Sequence, residues 1–131
     1  MKNLKNLILL CFVSLIAGAA VNAQTAKVKE IDAKEFDALS KKPNVMILDV
    51  RTPEEVAEGK IKGAKNIDFM DNEFMSKVDS LDKNITYLIY CKAGGRSAKA
   101  AAALNSVGFK STYSLDDGIT GWQEEGKPIE K

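Results

Sequence analysis

A chain of 131 residues, 45% hydrophobic and 28% charged, has material for one small globular domain and none for a second. Its formal net charge is +1, with lysines interspersed among acidic residues and no basic block, which argues against a nucleic-acid partner. The absence of histidine excludes a Cys-His hydrolase mechanism built within the chain and leaves no expected metal site.

The first 23 residues stand apart. Lys2 and Lys5 precede an apolar run from Leu7 to Val21, and Val21-Asn22-Ala23 has the small residues of a cleavage site. Residues 1–23 are therefore read as a signal peptide and residues 24–131 as the domain, exported to the periplasm or the exterior. The run of about 15 residues falls short of the roughly 20 that a spanning helix needs, so no permanent membrane anchor is expected. Cleavage removes Cys11 and leaves Cys91 as a lone thiol, which excludes an internal disulfide and a Cys-x-x-Cys redox pair.

After a lead-in at Gln24 to Ala26, Lys27 to Ile31 alternates polar and apolar residues like an edge strand. Asp32 then suits the cap of a helix that turns Phe36 and Leu39 to the core, and Pro43 ends it. Val45-Met46-Ile47-Leu48 is a continuous apolar run, the pattern of a strand covered on both faces in a parallel sheet, and Asp49 falls at its carboxyl end, where α/β sheets build sites. Thr52-Pro53-Glu54-Glu55 reads as a cap, a proline at the first helical position and two acids in the first turn, with Gly59 as the stop. A short strand is expected within Ile61 to Ile67, and a helix that places Phe74, Val78 and Leu81 on one face.

Ile85 to Tyr90 is the expected central strand. It runs into Cys91-Lys92-Ala93-Gly94-Gly95-Arg96-Ser97, and the alanine-rich stretch that follows sets Ala100, Ala103, Leu104 and Val107 on one helical face before Gly108. Adjacent glycines allow successive backbone N–H groups to turn toward one point, and a helix beginning near Arg96 or Ser97 directs its unpaired amides and positive end at the Cys91 sulfur. With Lys92 and Arg96 beside it, the thiol is expected to ionise more easily than a free cysteine and to react near neutral pH. Lys110 to Leu115 gives a last strand, and Asp116-Asp117-Gly118 opens a final turn or helix with Trp122, a core aromatic by default and a lid aromatic as the alternative. Strands alternating with helices predict an α/β domain with a mostly parallel sheet covered on both faces.

These segments resemble the single-domain rhodaneses, which are sulfurtransferases. Cys91 to Ser97 is similar to their active loop, Leu48 to Glu55 followed by Gly59 to Ile67 to their upstream signature, and Leu115 to Trp122 to a segment near their carboxyl end. Lys60 stands where those proteins usually carry histidine, and Asp117 where glycine is usual. The resemblance implies a two-step transfer in which Cys91 takes a sulfane sulfur from a small anionic donor such as thiosulfate and passes it to cyanide or a thiol, with Lys92, Ala93, Gly94, Gly95, Arg96 and Ser97 holding the persulfide and Asp49 and Arg51 in support. No cofactor is implied, and a monomer is expected. This account needs Cys91 to be reachable from solvent.

Two rivals stand beside it. The resemblance extends to a phosphatase and arsenate reductase group with a longer loop, whereas only four residues separate Cys91 from Arg96 here, a tighter ring suited to a sulfur atom. A non-catalytic binding module or a persulfide carrier is the reading from another class, since fold alone does not fix function.

Overall fold

The computed structural model describes residues 27–131, so the signal-peptide reading and the lead-in lie outside it. Five strands form one parallel sheet in the order β1-β5-β4-β2-β3, with β1 at Lys29–Ile31, β2 at Val45–Asp49, β3 at Lys65–Asn66, β4 at Thr86–Tyr90 and β5 at Ser111–Leu115. The expected α/β architecture is what the chain adopts. β4 lies between β2 and β5, hydrogen-bonded to both, with Asp49 opposite Tyr90 and Ser114 opposite Ile89.

β4 alternates between two cores. Tyr87 and Ile89 join Leu48, Val50, Val78 and Leu104 on the face covered by α3 (Phe74–Asp79) and α4 (Gly95–Ser106). Leu88 and Tyr90 join Phe36, Leu115 and Trp122 on the face covered by α1 (Ala33–Ser40) and α5 (Gly118–Glu124). Burial on both sides is why this strand reads as an unbroken apolar run. Phe36 meets Tyr90 and Trp122 edge to face, and the Trp122 indole donates to the Pro128 carbonyl at 2.8 Å, which makes Trp122 a core residue as expected.

The helix-start signals of α1 and α2 hold, whereas Val107, expected on the core face of α4, lies just past its end and is exposed, Ala101 being buried instead. Asp32 accepts from the Glu35 amide at 2.8 Å. Thr52 and Glu55 form a reciprocal capping box at the start of α2 (Pro53–Glu58), whose C-cap is Gly59. The strand expected within Ile61 to Ile67 shrinks to two residues, for two physical reasons. Gly63 turns the chain at φ +84°, and the Ile61 amide is taken by the Tyr90 hydroxyl at 3.1 Å and so does not pair in the sheet. Lys60 instead pairs with Glu130 through two reciprocal backbone bonds of 2.8 Å, which fastens the carboxyl-terminal tail across the end of α2.

Candidate active site

Cys91 is the first residue past β4, and its Sγ accepts from the amides of Gly94 at 3.1 Å and Ser97 at 3.4 Å. The Ser97 amide belongs to the first turn of α4, so the helix start does face the sulfur. Gly94 stands at φ +109°, and a Cβ there would lie 2.1 Å from the Asp116 carbonyl oxygen. Only glycine fits. Gly95 differs: it begins α4, its φ is not positive, and a Cβ would meet nothing within 4 Å. The loop is backed by the turn into α5, where the amides of Ile119 and Thr120 donate to the carbonyls of Cys91 at 2.9 Å and Lys92 at 3.1 Å. That approach requires Gly118, at φ +61° with a would-be Cβ 2.3 Å from the Lys92 oxygen.

Burial pushes the Cys91 thiol up, but the Ser97 hydroxyl, at 3.5 Å, and the amides of Ser97, Gly94 and Ala93 outweigh it, and the net direction is down. The expected ionisable sulfur is present, held by the loop and helix-start amides as anticipated and by the Ser97 hydroxyl, whereas the two cations do not take the expected part. Lys92 is exposed at the loop's edge, and the Arg96 guanidinium turns to α2, where it makes a two-pronged ion pair with Glu55 at 2.7 and 2.9 Å. The charge of Arg96 is favoured first by Glu55 and only secondarily by Cys91 and Asp68. Cys91 is also 1% exposed, against the expectation of an open sulfur. Its side chain points inward beneath the amides that stabilise it, while Lys92, Ala93 and Gly95 face solvent.

Glu55 therefore serves twice, capping α2 and tying the loop to it across 41 positions of sequence. Arg96 first, and then Thr52, hold its carboxyl at about 2 against an ordinary 4.5. A depressed carboxylate contributes stability above its unfolded value and loses it as protonation proceeds. The stability difference between the native protein and Glu55→Gln, which keeps an oxygen for the cap, should thus be constant above pH 4.5 and shrink as pH falls toward 2. Denaturant titrations across that range measure it. A difference that stays flat would mean the ion pair contributes nothing to the fold.

Asp49 and Arg51 lie together beneath the loop's neighbour, buried at 0% and 5% exposure. Asp49 accepts from the Arg51 Nε at 3.0 Å, its Nη2 at 2.7 Å and its backbone N–H at 3.0 Å, and from the Tyr90 hydroxyl at 2.6 Å. Arg51 also donates to the Gly59 carbonyl at 2.7 Å and the Glu55 carbonyl at 3.3 Å. Together these contacts tie β2 to β4 through Tyr90 and to α2 and its cap through the carbonyls of Glu55 and Gly59. Neither residue contacts the sulfur through a hydrogen bond. Burial draws the Arg51 proton affinity down, and the Asp49 carboxylate more than restores it.

The two positions that depart from the familiar pattern are also accounted for. Lys60 approaches Glu130 at 3.9 Å beside the tail. Asp117 places its Cβ 2.5 Å from where a Cβ at Gly121 would be, so its side chain fits because residue 121 has none. A cleft of about 190 Å³ opens beside the loop, lined by Lys92, Arg51, Glu55, Glu58, Thr120 and Gln123 among others. It borders the loop at Lys92 and does not reach Cys91 directly.

Comparison with known proteins agrees with this geometry. The family description that matches, over residues 32–125, is that of a rhodanese-like domain. A sulfurtransferase of Allochromatium vinosum is 32% identical over 103 residues, covering 78% of this chain and 94% of that protein. The thiosulfate sulfurtransferase GlpE of Pseudomonas putida is 32% identical over 95 residues, covering 72% and 84%. The crystal structure of a rhodanese-related protein from Thermoplasma volcanium superimposes with a TM-score of 0.69 at 31% identity, covering 78% of this chain and 97% of that one.

Proposed function

The chain belongs to the rhodanese-like family, and from that premise we propose that it is a sulfurtransferase whose Cys91 carries a sulfane sulfur from a small anionic donor of the thiosulfate kind to cyanide or a thiol. The observation that carries the reading is the sulfur held by the Gly94 and Ser97 amides at the end of the central strand, with its ionisation favoured. Relatives named sulfurtransferases support it.

In the first step the Cys91 thiolate attacks the outer sulfur of thiosulfate. A sulfur–sulfur bond forms on Cys91, the bond to the sulfonate sulfur breaks, and sulfite leaves with the electron pair. The product is a persulfide anion, one charge as before, so loop amides that suit the thiolate suit the product also. In the second step cyanide attacks the outer sulfur, thiocyanate leaves, and the Cys91 thiolate is restored; a thiolate acceptor departs as a persulfide in the same way. No proton changes hands with a protein group, consistent with a chain that has no histidine. Exposed Lys92 at the loop's edge favours the approach of an anionic donor. The leader-like run after Lys2 and Lys5 supports export of the domain.

Incubation with thiosulfate should add one sulfur atom to Cys91, and cyanide should then yield thiocyanate. Mass spectrometry reads the loading, and the same spectrum reads whether the recovered chain starts at Gln24. A second reading, a persulfide carrier or protein-binding module without fast turnover, draws on the 1% exposure of Cys91. Sulfur loading and thiol alkylation that both fail in the native protein, while the unfolded protein alkylates, would replace the enzyme with the module. A partner that binds equally well after Cys91→Ala would point the same way.

A further inference from the structure

Ser114, on β5, has its hydroxyl 2.8 Å from the Ser97 hydroxyl, and both serines are fully buried. Among the described residues Ser97 Oγ is the only hydrogen-bond partner of Ser114 Oγ, so the Ser114 hydrogen has no other acceptor. Leaving a buried hydroxyl hydrogen unpaired is costly, which fixes the direction of this bond: Ser114 donates and Ser97 accepts. The single hydrogen of Ser97 goes to the Gly94 carbonyl at 3.1 Å, while the neutral Cys91 thiol donates to Ser97 Oγ at 3.5 Å; once the thiol has lost its proton, the sulfur at that distance is an acceptor to which the Ser97 hydrogen can turn. The Gly94 carbonyl already accepts from the Ala98 amide at 3.1 Å. When Cys91 ionises, the Ser97 hydrogen can therefore turn to the sulfur without orphaning any group.

We propose that Ser114 is a positioning residue that acts through Ser97, holding its oxygen as acceptor so that the Ser97 hydrogen is available to the Cys91 sulfur. The proposal rests on the reading of Cys91 as the nucleophile and extends it to a strand outside the loop. Occupying one lone pair of Ser97 also weakens its competition as an acceptor for the neutral thiol, since the S–H group and Ser114 share the same oxygen. Both effects favour the thiolate. Chains of this kind polarise one another in a low-dielectric interior, and the arrangement needs no charge beside the sulfur.

The test is the ionisation of Cys91, followed by ultraviolet thiolate absorbance as a difference against Cys91→Ser, which requires no reagent to reach the buried sulfur. Ser114→Ala should raise the apparent pKa of Cys91 by roughly half to one unit, the size of one modest hydrogen bond. Ser97→Ala should raise it at least as far, and Ser114→Ala added to Ser97→Ala should raise it no further. Ser114→Thr, which keeps the hydroxyl, should restore the native value. A Ser114→Ala titration that is unmoved or moves downward overturns the proposal, as does a full additional shift on the Ser97→Ala background. The measurement uses no sulfur donor. A shifted titration in a protein that loads no sulfur would overturn the sulfurtransferase reading and leave this one standing.

Discussion

Cys91→Ser should take no sulfur from thiosulfate and release no thiocyanate, a loss on the order of a thousandfold or more in turnover, as when a covalent nucleophile is removed. The change replaces one atom and leaves the fold: a hydroxyl oxygen can accept from the Gly94 and Ser97 amides as the sulfur does. What disappears is chemistry. A serine hydroxyl keeps its proton at neutral pH, and an oxygen cannot form the sulfur–sulfur bond that stores the transferred atom. Since Cys91 is the only cysteine of residues 24–131, no second thiol in the domain can substitute. Turnover by Cys91→Ser at even a few per cent of the native rate would remove the persulfide from the mechanism.

Arg51→Ala should destabilise the protein by about 3–5 kcal/mol, a large part of the 5–15 kcal/mol that holds a domain of this size. The guanidinium makes three hydrogen bonds to the Asp49 carboxylate and links it to the carbonyl of Gly59. Without it Asp49 stays buried at 0% exposure with the Tyr90 hydroxyl and a backbone amide as its remaining partners. Urea titration measures the loss. Asp49→Asn added to Arg51→Ala should recover part of it, because the uncompensated charge is then gone. Sulfur loading per folded molecule should stay near native in the single variant, since the pair binds strands and helix to each other and makes no hydrogen bond to Cys91. A stable Arg51→Ala protein with lost loading would instead place Arg51 in the reaction.

Much of this was legible in the residues. Thr52, Pro53 and Glu55 announced α2 because capping is decided within one turn, and the apolar run into Cys91 announced β4 because burial on two faces leaves a local pattern. What periodicity did not reveal are the contacts between distant segments. The order β1-β5-β4-β2-β3 is one such fact, and the pairing of Arg96 with Glu55 is another. Glu55 read as a helix-start acid, which it is, and nothing nearby in sequence marked its second partner. Local sequence therefore shows Arg96 only as a cation beside the sulfur. Ser114 carried no signal, as a serine in a strand acquires meaning only from what lies opposite it. The inward turn of Cys91 likewise depends on Asp116 and Gly118 crowding the loop from behind, a tertiary constraint on a segment whose own residues favour an open ring.

Among the described residues the edge strand β1 pairs with β5 alone, and α1 buries Phe36 against Trp122. A polypeptide released amino end first therefore holds its earliest strand without a neighbour until nearly the last residues have emerged. Such non-local closure delays folding relative to synthesis.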